Sequence, residues 1–240
     1  MMSLMMRNKK YLLIVVLIIF LIISLTIVFF KKNKKENSLI AEDIQAVISS
    51  GNFISENIRG VDESDYVLGE KKAKVSMIIY EDVSNYFSAD LNKTIELIRD
   101  TFPRQVKIAF RPYANKSFPF SIDSNLFTLC AGEQDKFFEA RNLLISKAEE
   151  NSISKENFDL YIEELGLDMG QINNCLKDEN KLKELEGMVI EAESFEVFGS
   201  PTIFIGSEKI GGARPFENYV DNENKERDGL KTIINRHLEY

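Results

Sequence analysis

Few residues in this 240-residue chain can do covalent or metal chemistry: two cysteines, Cys130 and Cys175, and one histidine, His237. A thiol attacks as its thiolate, and disulfide exchange passes through a mixed disulfide that a second, nearby thiol resolves. Cys130 and Cys175 are 45 positions apart and lack the Cys-x-x-Cys spacing that exchange chemistry uses. Two readings of the pair stand: buried free thiols that pack as small apolar groups, or a structural bridge in an oxidising compartment. A structural zinc site needs four Cys or His ligands, and the chain has three such residues in all, so no metal is expected. His237 lies in a helical pattern near the C-terminus and reads as a surface residue. No cofactor is implied.

The elements that would position these residues follow from periodicity. Tyr11 to Phe30 is an unbroken apolar run after a basic tail. Twenty residues at about 1.5 Å each span roughly 30 Å, the thickness of a bilayer core. The run ends in Val28-Phe29-Phe30-Lys31-Lys32, where a signal peptidase wants small residues, so it reads as an uncleaved anchor. Residues 1–10 are then a short cytoplasmic tail and 11–30 the span. Residues 31–63 form a stalk, in which Leu39, Ile40, Ile44, Val47 and Ile48 recur at helical spacing. Basic residues flank both ends of the span, so charge alone does not orient it. The tiny tail and the two cysteines favour a domain outside the membrane.

Residues 64–240 read as the folded domain. Val75 to Tyr80 is a continuous apolar run, as in a strand buried on both faces. A helix is expected from Tyr86 to Arg99, with Leu91, Ile95 and Ile98 on one face, and Asn85 or Ser84 suits its N-cap. Val106 to Phe110 is a second buried strand, completing a β-α-β unit. Residues 121–190 are helical, broken at Asn151-Ser152 and Gly166. Thr202 to Ile205 and Glu208 to Ile210 flank a Gly206-Ser207 turn as a hairpin, and a last helix starts near Asp228.

Charge narrows the partner class. Residues 1–35 hold seven of the 30 Lys+Arg and no acid, leaving 23 against 38 Asp+Glu, a net of −15 on residues 36–240. Phosphate binding needs clustered Lys and Arg, so nucleic acid is excluded as a partner.

Local motifs agree with the element order. Gly199-Ser200-Pro201-Thr202 resembles a Gly-Thr-Pro-Thr run that carries a cis-proline, and Ile210-Gly211-Gly212-Ala213 a glycine-rich hairpin exit. Cys130-Ala131-Gly132-Glu133-Gln134-Asp135-Lys136-Phe137 is similar to a Cys-Ala-x-Glu-Gln-Gly-Lys-Phe helix, and Asp65 to Gly69, Gly166-Leu167-Asp168 and Cys175-Leu176 fit around it. These motifs resemble those of DsbA-like proteins, which implies an α/β thioredoxin-like fold with an inserted helical domain. The resemblance implies that Pro201 is cis and, with Ser200, borders a groove for an extended peptide. It also implies that Cys130 and Cys175 form a second, structural bridge.

The departure is at the redox motif. The resemblance sets Asn85, Tyr86, Phe87 and Ser88 on the four positions of Cys-Pro-x-Cys, with Ile79 where a buried acid would move protons. Neither a serine nor an asparagine forms a mixed disulfide. The reading is therefore a membrane-anchored, extracytoplasmic, redox-inactive module that binds an extended peptide or partner protein. The alternatives are a thiol-disulfide oxidoreductase working through Cys130 and Cys175, and a spacer that binds nothing in its groove.

Overall fold

The computed structural model describes residues 58–239. The expected tail, span and most of the stalk lie outside them; among the described residues no helix is long and apolar enough to cross a membrane. Among the described residues, seven strands and seven α-helices follow in order. They are β1 (Tyr66–Leu68), β2 (Val75–Glu81), α1 (Tyr86–Thr101), β3 (Val106–Pro112), α2 (Ser121–Gly132), α3 (Phe137–Glu149), α4 (Phe158–Leu165), α5 (Met169–Cys175), α6 (Glu179–Ser194), β4 (Thr202–Ile205), β5 (Glu208–Gly211), β6 (Tyr219–Val220), β7 (Glu226–Arg227) and α7 (Leu230–Glu239).

Five strands form one sheet in the order β1-β3-β2-β4-β5, and β6 with β7 makes a small separate ribbon. β2 and β3 run parallel, as the intervening helix requires; the other neighbours are antiparallel. Side-chain alternation along a strand splits the core in two. Val75, Met77 and Ile79 of β2 face α1 and α7, where they meet Leu91, Ile95, Ile98, Ile233 and Ile234. Ile78 and Tyr80 face the other way, against Ala192 of α6, Val197 and Phe204. Each such side chain contributes about 1.5–3 kcal/mol relative to exposure, and a strand buried on both faces accounts for the unbroken apolar run.

The helical block has its own core around Phe127, Leu129, Leu144, Ile162 and Ile172. Cys130 on α2 and Cys175 at the end of α5 are disulfide-bonded within it, with Cα atoms 5.8 Å apart. Gly166, at φ 64°, ends α4 in the left-handed conformation that glycine tolerates best.

The packed domain begins upstream of Ser64, inside the expected stalk. Ile58 and Val61 pack against the core on the α6 side. The Arg59 guanidinium reaches Asp65 at 3.0 Å and Glu191 at 3.2 Å. Arg111 joins the same group, 2.7 Å from Asp65 and 2.9 Å from the Tyr80 hydroxyl. A charged residue in a polar stretch reads as stalk until the buried Arg111–Asp65 pair that it caps is seen.

Candidate functional site

β2 delivers the chain to the site. Its register sets Tyr80 beside Thr202 of β4, which brings the Ser200-Pro201 loop against the turn Asp82-Val83-Ser84-Asn85. The Ser200–Pro201 peptide bond is cis, as the motif implied. Asn85 is the N-cap of α1: its side-chain oxygen accepts from the Phe87 N–H at 2.8 Å, satisfying one of the free donors at the helix start.

The two positions read as thiol replacements are drawn toward one residue. The Asn85 amide donates to the Ser200 carbonyl at 3.3 Å, and the Ser88 and Ser200 hydroxyls share a hydrogen bond of 3.2 Å. Ser88 is fully buried, whereas Tyr86 and Phe87 are 54% and 57% exposed, and Phe198, three residues before Pro201, is 75% exposed. Pro201 itself is buried. The turn and the Pro201 loop thus carry three exposed aromatic side chains beside hydrogen-bonded hydroxyl and amide groups. Ile79 lies in the core, fully buried, opposite Ile203.

Sequence reasoning missed the residue that organises this face. Asp82 is fully buried. Its Oδ1 accepts from the Ser84 N–H at 2.9 Å, the Ser84 hydroxyl at 2.7 Å and the Asn125 amide at 2.9 Å. Its Oδ2 accepts from the Ser121 hydroxyl at 2.5 Å, and its own N–H donates to the Ser200 hydroxyl at 2.6 Å. Hydrogen bonds take the place of hydration here, without which a buried carboxylate is very costly. Asp82 therefore ties the end of β2, the start of α2 and the Pro201 loop together. Phe118 and Phe120, both exposed, lie on the loop leading into Ser121. The only hint in the sequence was a pair of acids, Glu81-Asp82, at the end of an apolar strand.

Glu81 was missed as well. It lies two residues beyond Ile79, on the same strand face, and is buried. Both carboxylate oxygens accept from Arg141 of α3, one of them at 2.9 Å. The guanidinium also stacks on Phe110, 4.2 Å from the ring centre, and donates to Asn92 at 2.8 Å. An acid is thus buried four residues before Asn85, committed to an ion pair.

Cys130 and Cys175 lie elsewhere, both buried in the helical core. They are not brought to the Asn85–Ser88 turn by any contact among those described above. His237 contacts Glu208 at 3.2 Å, on the β5 side of the sheet. Among the described residues no group of three or more His, Cys, Asp or Glu is arranged to hold a metal ion.

A protein-family model described as thioredoxin matches residues 62–235. No curated protein matches the chain. Among solved structures, a periplasmic thioredoxin-like protein from Salmonella enterica serovar Typhimurium superposes with a TM-score of 0.61 at 18% identity, over 79% of this chain and 98% of that one. The thiol-disulfide exchange protein alpha-DsbA2 from Wolbachia pipientis gives 0.58 at 18%, over 74% and 88%. Oxidised BdbD from Bacillus subtilis gives 0.58 at 18%, over 74% and 95%. At these identities the likeness is one of fold: an α/β thioredoxin-like sheet with a helical insertion.

Proposed function

The chain belongs to the thioredoxin family, and from that premise we propose that it is a redox-silent binding module with a DsbA-like frame. It is tethered by residues 11–30 with its domain outside the membrane. It holds an extended segment of a partner protein against the face formed by Tyr86, Phe87, Phe198 and the Pro201 loop. The observation that carries this reading is the polar turn itself. Asn85 and Ser88 stand where exchange chemistry needs two thiols, and both are hydrogen-bonded to Ser200.

Further support comes from the surroundings. Three exposed aromatic rings on two adjoining segments are apolar surface of the kind that marks recognition sites. The knot at Asp82 holds those segments before a partner arrives, which lowers the ordering cost of binding. The two sulfurs are bonded to each other and buried, which counts against exchange through them. The uninterrupted apolar run at 11–30 supports the anchor. The bridge, together with the periplasmic setting named for the Salmonella protein, supports an extracytoplasmic domain.

The test is a pair of assays on the full chain. Insulin reduction and oxidation of a reduced model peptide should both stay at background. A photo-crosslinker placed at Phe198 should capture partner in intact membranes, and capture should fall with Pro201→Ala. Turnover abolished by Cys130→Ala or Cys175→Ala would overturn the proposal, as would a mature protein beginning after Phe30.

A further inference from the structure

Apart from the face at Pro201, α6 carries a second apolar feature. Leu182, Leu185, Val189 and Ile190 recur at the spacing that sets residues on one side of a helix. They form one wall of a groove of about 450 Å³, with Tyr113 and Ile122 on the other wall. Leu182 and Ile190 are 36% and 47% exposed. The stripe they bound is about 12 Å long, at ~1.5 Å of rise per residue.

The rim of this groove is acidic. Glu186 and Glu193 line it alongside Lys116. Lys116 lies 3.2 Å from Glu186, and among the described residues Glu193 has no ion pair. Burial raises the Tyr113 hydroxyl pKa, and the charges of Glu193 and then Asp82 push it further the same way.

We propose that this groove binds a cationic amphipathic helix of a partner protein. A stripe at i, i+3, i+7 spacing receives apolar side chains repeated at that same spacing, as helix-in-groove recognition does. The volume falls in the range of functional clefts, roughly 300–1,000 Å³. The groove follows a helix, and neither sheet edge, β1 or β5, lines it, so strand addition has no template there. The sign of the partner follows from Glu193, which has no ion pair among the described residues, and from the net −15 of residues 36–240, both of which draw cations and repel acidic segments.

The test uses the full chain in a neutral detergent. It is titrated into a labelled leucine–lysine peptide of about 18 residues, long enough to fold as a helix once bound, and into its leucine–glutamate counterpart. The cationic peptide should bind at least about tenfold more tightly than the acidic one. Leu182→Ser combined with Ile190→Ser should weaken it by a similar factor, and Glu193→Lys should weaken it with the fold intact by circular dichroism. Leu160→Ser, an exposed leucine on α4, should change nothing. Absence of binding, equal binding of the two peptides, or indifference to both the leucine–isoleucine pair and Glu193→Lys overturns the proposal. Loss on Phe198→Ser would move the peptide to the Pro201 face and overturn it as well. So would a dimer, seen by sedimentation, that Leu182→Ser with Ile190→Ser converts to monomer, since the occupant would then be a second copy.

Discussion

Replacing Arg141 by methionine tests whether the buried pair beneath the candidate site is held as described. Arg141 and Glu81 are each 1% exposed, and the guanidinium meets both carboxylate oxygens. Methionine keeps much of the stem volume and removes the charge, leaving the Glu81 carboxyl in the core with no counter-ion. Breaking one side of such a pair costs about 3–5 kcal/mol, since the remaining charge has lost both water and partner. The stacking of Arg141 on Phe110 adds up to about 2 kcal/mol at a desolvated site. In a domain of this size each kcal/mol is worth roughly 2–4 °C, so the midpoint should fall by about 6–28 °C. The chain has no tryptophan, so urea and thermal unfolding are followed by far-ultraviolet circular dichroism. The deciding experiment is a double-mutant cycle. Glu81→Leu with Arg141→Met should be far more stable than the sum of the single changes predicts, because an apolar pair of similar volume often replaces a buried ion pair at little cost. A loss below about 1 kcal/mol for Arg141→Met, or additive single changes, would refute the reasoning. Glu81 would then be solvated or bound elsewhere.

Three further outcomes follow from the same structure. Thiol titration of native protein should find no free cysteine, and reduction should lower stability by up to about 4 kcal/mol on the chain-entropy account of a 45-residue loop, read as a drop in midpoint with dithiothreitol. Asn85→Cys with Ser88→Cys should pair under mild oxidant, with the first thiol titrating below the free value of about 8.5 at the helix N-terminus; two independent, slowly reacting thiols would unseat the assignment of this turn. Burial pushes the Asp65 pKa up, but hydrogen bonds from Arg111 and the Asp62 N–H, with the Arg111 and Arg59 charges, hold it below the ordinary carboxylate value. Its stabilising contribution is therefore present above the unfolded value of about 3.9 and lost as pH falls through the lower folded value, so Asp65→Asn should flatten the acid limb of stability against pH.

What the sequence determined by itself was whatever depends on near neighbours. Val75 to Tyr80 reads as a doubly buried strand because its apolar side chains leave no face for water, and the strand is there as Val75–Glu81. Asn85 reads as a cap because its side chain reaches an N–H two residues on. The motif at Pro201 implied its cis bond, and the pair Cys130–Cys175 was implied by likeness before it was seen. The short strands β1, β6 and β7, at two or three residues each, carry too little pattern to be read that way.

The character of the site was decided in tertiary structure. Asp82 finds Ser121 across 39 positions and Ser200 across 118, and Glu81 finds Arg141 across 60. Nothing local distinguishes these residues from solvated loop and helix polars. A buried charge is tolerable only when packing brings donors to it, and that depends on how the helical block seats against the end of β2. The sequence could therefore say that the turn from Asp82 to Ser88 holds no cysteine. That Asp82 knots the turn to the start of α2 through its buried carboxylate and to the Pro201 loop through its N–H is a consequence of long-range packing alone.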